Sequence, residues 1–465
     1  MAVDLGAELS FELDDVVMIE LDLAEPWQPP EPPSRRRYRR WIAPLLAALL
    51  VATMVGADGR PSTLAPLIEL HQAAKQVVLD PSGMLYTESL KFGETSNSGN
   101  ATIRGYHLPG GELWNLPVAS TRSELLRHGD VLVVTAYDAA NAVSTLRALD
   151  AATGRELWSK DGAVVAGQTG DLLILADEVR AGAEGVSLDP KLGLIGDRRI
   201  AGVNARTGAT VWSTVLPARS VWVVSDRGVA KGATNRPGAS MITVFEPDGL
   251  VRMRDMVSGD VMITADIGKA PENRYLVVSD ANVLMLWEPA GGESRFHAYD
   301  LKTGQETWSV KAGADGFVLS CGEQVCLSTG SSTTVLDLSS GTVLRRLPAW
   351  QQSFIAAERM VTTGSDDQRR QMSVTSIDTG STVRVLRGWT SVGTFTDGRI
   401  IIAQPEARFG RTVVGALDPT SGQVKVLGVV SGLGGHPECQ GSGAYLACTA
   451  GFTTRVWRID ASALA

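Results

Sequence analysis

Only four cysteines and five histidines occur in the 465 residues, and neither type is set out for chemistry. His71, His107, His128, His297 and His436 stand singly, without metal-ligand spacing, so no metal site is expected. There is no Cys-x-x-Cys-His for covalent haem, no Walker A run for nucleotide phosphates and no Gly-x-Ser-x-Gly nucleophile turn, so no catalytic residue can be named. Positive charge is also scarce. A formal net charge of −8 leaves no overall basic field to attract nucleic acid. No Lys or Arg precedes Ser34, no charge of either sign lies between Trp41 and Ala57, and no cysteine lies near that span. A lipid-modified cysteine is thereby excluded there.

What the chain has in quantity is glycine, 49 residues, and a phrase that recurs. Asp150-Ala-Ala-Thr-Gly154-Arg-Glu-Leu-Trp158 returns as Asn204-Ala-Arg-Thr-Gly208-Ala-Thr-Val-Trp212 and as Asp300-Leu-Lys-Thr-Gly304-Gln-Glu-Thr-Trp308. The pattern predicts a β-hairpin. Asp or Asn ends one strand and accepts turn amides through its side chain, while Gly supplies the positive φ. The Trp, a fixed step into the next strand, brings a flat apolar surface and one N–H suited to packing between neighbouring units where a backbone carbonyl is in reach.

Weaker copies extend the series. They stand at Tyr106–Trp114, Val335–Gly341, Ser376–Gly380 and Ala416–Gly422, with a degenerate copy at Phe245–Gly249 and a truncated one at Arg458–Asp460. The nine marks recur about every 40 residues, the length of a four-stranded propeller blade. The expected fold is all-β, a β-propeller of about eight four-stranded blades over 76–465, with seven or nine as alternatives. The two longest intervals place loop extensions at Asp177–Asp197 and Trp287–Ser294.

This Asp-x-x-Thr-Gly-x-x-x-Trp hairpin resembles the repeat of the PQQ-like propellers, a family that includes quinone-dependent alcohol dehydrogenases and non-enzymatic propellers such as an outer-membrane assembly lipoprotein. The resemblance covers about residues 80 to 460 and implies the fold. The family's dehydrogenases hold their quinone with a disulfide of adjacent cysteines, a stacking Trp and a calcium-linked Asp. No two cysteines are adjacent here, and Trp114, Trp158, Trp212 and Trp308 have a sufficient structural use. No cofactor is expected.

The N-terminal region differs from the rest. Residues 1–40 begin with nine acids before any base, continue through a Pro-rich stretch, and end in the cluster Arg35, Arg36, Arg37, Arg39 and Arg40. Such a segment is expected to be a disordered tail, passive or able to dock a partner through Val16–Leu23. Residues 41–57 would rise about 25 Å as a helix, at the lower limit of a membrane span. The arginines argue for a cytoplasmic tail and an outer propeller. A cleaved signal peptide is the alternative, but a 40-residue charged lead is long for one. Residues 58–75 read as a linker.

Two cysteine pairs, Cys321 with Cys326 and Cys439 with Cys448, each straddle a hairpin turn. Of the three possible pairings the local one suits disulfide geometry, with zinc as the other reading. The expectation is therefore a single-pass, membrane-anchored, extracytoplasmic propeller that binds a protein or envelope ligand without catalysis. The alternative is a quinone-dependent oxidoreductase.

Overall fold

Residues 131–134, Val-Leu-Val-Val, are all buried, because their strand is covered on both faces. Leu132 and Val134 enter an apolar cluster with Met84, Tyr86, Ile103 and Trp114. Val131 and Val133 enter another with Leu173, Leu175, Ala201 and Val203. Side chains alternate across a strand, so an unbroken apolar run is what a sheet packed between two others requires. Ile400 and Ile402 likewise serve one cluster and Ile401 the next.

The computed structural model describes residues 63–460 apart from interruptions, the longest at 91–99, 178–197 and 227–239. The tail expected over 1–40, the apolar segment 41–57 and most of the loop extension expected over Asp177–Asp197 lie outside the described residues. Among the described residues the regular elements are strands, and no helix is long and apolar enough to cross a membrane.

These strands form four-stranded antiparallel sheets arranged as a propeller. In chain order, blade 1 spans 74–119, blade 2 122–161, blade 3 163–216, blade 4 221–266, blade 5 275–313, blade 6 317–348, blade 7 352–387 and blade 8 390–431. Blade 9 takes three strands from 438–459 and its fourth, outermost strand from Leu64–Leu70. The first strands lie side by side where blade 1 meets blade 2, blade 4 meets 5, 5 meets 6 and 8 meets 9, and that of blade 9 lies beside that of blade 1, closing the ring. Between blades 8 and 9 the first strands pair in parallel at Gly393↔Gly441. A Cβ on Gly393 would overlap the Gly441 carbonyl, so only glycine permits that approach.

Two expectations are corrected here. The described strands make nine blades where about eight were expected, because the marks at the two chain ends belong to separate blades. Residues 64–70, expected within the linker, are the strand that completes blade 9. Leu64 pairs with Ile459 and Leu70 with Thr454; Thr63 N–H donates to the Leu427 carbonyl at 3.2 Å and Asp460 N–H to the Thr63 carbonyl at 2.8 Å. A ring closed through both ends leaves its last sheet no unpaired third strand.

Candidate functional site

The recurring phrase builds the same turn in blade after blade, between the third and fourth strands. The Gly154 amide donates to the Asp150 carbonyl at 2.8 Å, and the Asp150 amide to the Arg155 carbonyl at 2.8 Å. The pattern repeats at Asn204/Gly208, Asp300/Gly304, Asp337/Gly341, Ser376/Gly380 and Asp418/Gly422. Asp150 Oδ1 accepts the Thr153 amide at 3.0 Å and hydroxyl at 2.8 Å; Asn204 Oδ1 does the same for Thr207. The threonine hydroxyl then accepts the amide of the residue after the glycine, as at Gln305 to Thr303, 3.3 Å. The Asp or Asn and the Thr side chains of the motif thus have a use within their own turn.

In blade 4 the turn is not at Phe245–Gly249, as the spacing suggested, but at Asp255–Gly259. There Ser258 stands where Thr usually does and Ile263 where Trp does. Phe245–Gly249 is the preceding hairpin turn of the same sheet. With the mark moved, blade 5 has no excess length. Accordingly Trp287–Ser294 is not a loop extension: its residues continue a hairpin whose register runs to Ala290↔Glu293.

Four indoles lock their blades to the next. Trp114 Nε1 donates to the Ala151 carbonyl at 3.1 Å, Trp158 to Ala205 at 2.8 Å, Trp212 to Met256 at 3.0 Å and Trp308 to Leu338 at 3.0 Å. Every acceptor is the residue after the turn's first position in the following blade. The turn glycine lies flat on the same ring: a Cβ on Gly154 would sit 2.5 Å from Trp114, on Gly208 2.7 Å from Trp158, and on Gly259 2.6 Å from Trp212.

The turn carboxylates are tuned by these contacts. The Thr153 hydroxyl holds Asp150 below the ordinary carboxylate value, the amides of Thr303 and Lys302 do so for Asp300, and the hydroxyls of Ser339 and Ser340 for Asp337. A folded-state value below the unfolded one adds stability that is present above about pH 4 and lost as pH falls through the folded value. Urea midpoints are therefore expected to fall on acidification below about pH 4. Asp337→Asn should keep the turn, as Asn204 does naturally, and make that fall shallower. An unchanged acid slope in Asp337→Asn would contradict this.

Cys439 and Cys448 face each other across a hairpin and form a disulfide, with Cα atoms 4.0 Å apart. Cys326 is also disulfide-bonded, while the Cys321 side chain lies outside the described ones. Of the histidines, His297 is nearly buried between two carboxylates, with Nδ1 3.1 Å from Glu306 and Nε2 3.0 Å from Glu288. No group of three His, Cys, Asp or Glu side chains among the described residues could hold a metal. The described Cys439–Cys448 disulfide and the four blade-motif indoles do not form the quinone cradle that the resemblance implies. The Cys439–Cys448 bond joins residues nine apart, and the four indoles are engaged between blades.

A cavity of about 710 Å³ lies where blades 1, 2 and 3 meet near the axis. Lys75, Gln76 and Glu88 come from blade 1, Ser123, Glu124 and Thr135 from blade 2, and the stretch Val164–Gln168 from blade 3. Gln76 fixes the seam between blades 1 and 2, accepting the Leu125 amide at 3.0 Å and donating to the Leu125 carbonyl at 3.4 Å. Further along that seam Arg127 pairs with Asp80 at 3.1 Å and lies over the Tyr86 ring. The Tyr86 hydroxyl donates to the Ala151 carbonyl at 3.3 Å, and burial pushes its pKa up to about 12. Glu88 is 1% exposed and accepts the Ser123 hydroxyl at 2.5 Å. Its one signal in the sequence is an acid inside the run Met84–Ser89, which is buried throughout.

Residues 98–296 match the family described as outer membrane protein assembly factor BamB. No curated protein matches the chain. Among solved structures it is similar to BamB from Moraxella catarrhalis, with 17% identity, 85% of this chain and 99% of that one covered, and a TM-score of 0.38. It is also similar to the quinohemoprotein alcohol dehydrogenase ADHIIG from Pseudomonas putida HK5, with 13% identity, 68% and 72% covered, and a TM-score of 0.34. For the Dos1 propeller the identity is 12%, the coverage 85% and 96%, and the TM-score 0.44.

Proposed function

We propose that this chain, a PQQ-like β-propeller, is a non-catalytic binding scaffold held at the outer side of a cell membrane by residues 41–57, with residues 1–40 in the cytoplasm. The observation that carries the reading is the match of 98–296 to a protein-assembly family. Two features support it. The repeat's Asp, Thr and Trp side chains and its turn glycine are used within the framework. The outermost strands present large apolar side chains to solvent, among them Val211 and Val215 on blade 3, Val343 and Leu344 on blade 6, and Val426 and Val429 on blade 8. Apolar side chains beside open strand edges suit contact with another protein.

The test is topology with cross-linking in a bacterial host. The full chain is expected in the membrane fraction, with its propeller cleaved by protease added to spheroplasts and its tail protected. A photo-crosslinker at Val215 or Val426 should join envelope proteins, whereas one at Gly170, on a turn, should not. A soluble, protease-protected chain would overturn the anchoring, and equal cross-linking at all three positions the docking. Dye reduction on adding the quinone, calcium and an alcohol would overturn the non-catalytic part.

A further inference from the structure

Glu88 is half satisfied. Its Oε1 takes the Ser123 hydroxyl, and Lys75 Nζ stands 3.8 Å from that same oxygen, beyond hydrogen-bond reach. Oε2 is hidden from solvent and has no hydrogen-bond partner among the described residues. A carboxylate taken out of water without its full set of donors is costly, and such a group in a native fold calls for an explanation. This one lines a cavity of about 710 Å³, within the usual size range of small-ligand sites. Glu124 lines the same space.

We infer that this cavity binds an organic cation, an alkylammonium or guanidinium group, whose N–H donors complete Glu88 while its carbon stem lies along Leu126 and Val164. A carboxylate short of donors favours an N–H cation, and no trio of His, Cys, Asp or Glu is available among the described residues for a metal ion. Because Oε2 is closed to solvent, the incoming group takes the place of the Lys75 ammonium, and the carboxylate turns to meet it. Lys75 is thus an internal competitor at the mouth of the site. The inference stands independently of membrane anchoring and of protein docking at the outer strands.

The experiment is calorimetric titration of the detergent-solubilised full chain with putrescine, with an N-acetylated, C-amidated Gly-Lys-Gly peptide, and with 1-butanol as a neutral control. Saturable binding of a cation and none of butanol is expected. Glu88→Gln should weaken it about tenfold or more, the worth of one charge-assisted contact. Lys75→Gln should strengthen it several-fold. Tighter binding of putrescine assigns the site to free amines, and of the peptide to a lysine side chain. Lys75 is on the surface side, so its variant remains informative even if Glu88→Gln does not fold. Butanol binding equal to the amines, affinity unchanged in a folded Glu88→Gln, a Lys75→Gln affinity no higher than that of the parent, or no binding by either would overturn the inference.

Discussion

Gly154→Ala is expected to lower the unfolding free energy by roughly 3 kcal/mol, the sum of a left-handed alanine and an overpacked contact. Gly154 has φ +68°, and its added Cβ would meet the Trp114 ring at 2.5 Å. Gly170→Ala is the control: φ is +51°, but nothing lies within 4 Å of the new methyl. It should cost only the backbone part, about 1 kcal/mol. Trp114→Ala removes a buried indole and its hydrogen bond to Ala151, a loss of about 3–5 kcal/mol. In that background Gly154→Ala should fall to about the cost of the control, giving a coupling near 2 kcal/mol in a double-mutant cycle. Urea unfolding measures all four. Equal costs for Gly154→Ala and Gly170→Ala would show that the ring and the glycine are not interlocked.

The double variant Leu64→Asp/Leu70→Asp should lose still more, about 4 kcal/mol or more, by placing charges at two buried positions of the strand that closes the ring. Leu64 packs with Leu446, Trp457 and Ile459, and Leu70 with Leu79 and Val456. Arg455 reinforces the clasp through Glu69 at 3.0 Å. Hydrogen exchange is the sharper readout, because the loss begins at one seam. Amides of Thr453–Ile459 should exchange first, before those of blades 4 and 5. Uniform acceleration around the ring, or an unchanged urea midpoint, would refute the clasp.

The blade code was legible in the sequence because it is local. Asp150, Thr153, Gly154 and Trp158 sit at fixed short spacings, and each serves a turn or a contact whose geometry those spacings dictate. Blade 4 escaped because Ser258 and Ile263 replace two of the four letters, while a nearby Gly249 turn imitated the rest. Nine blades stood only as an alternative to eight for another reason: the fourth strand of blade 9 comes from the far end of the chain, and no short-range pattern marks Leu64–Leu70 as the partner of Thr453–Ile459. The cavity at Glu88 was illegible for the same cause, since blades 1, 2 and 3 each supply a few side chains that nothing in the sequence links.

The clasp also sets an order of events at the ribosome. Glu69 and its partner Arg455 are 386 positions apart, so at the usual 5–20 residues per second the strand 64–70 waits roughly 20–80 s for its neighbour to be translated. Throughout that delay the nascent segment 64–70 is an unmatched, partly greasy ribbon. Successive blades can stack as they emerge, but the circle cannot shut until residues 453–459 have been made. Holding that ribbon away from other chains is thus a task for whatever receives the protein during synthesis.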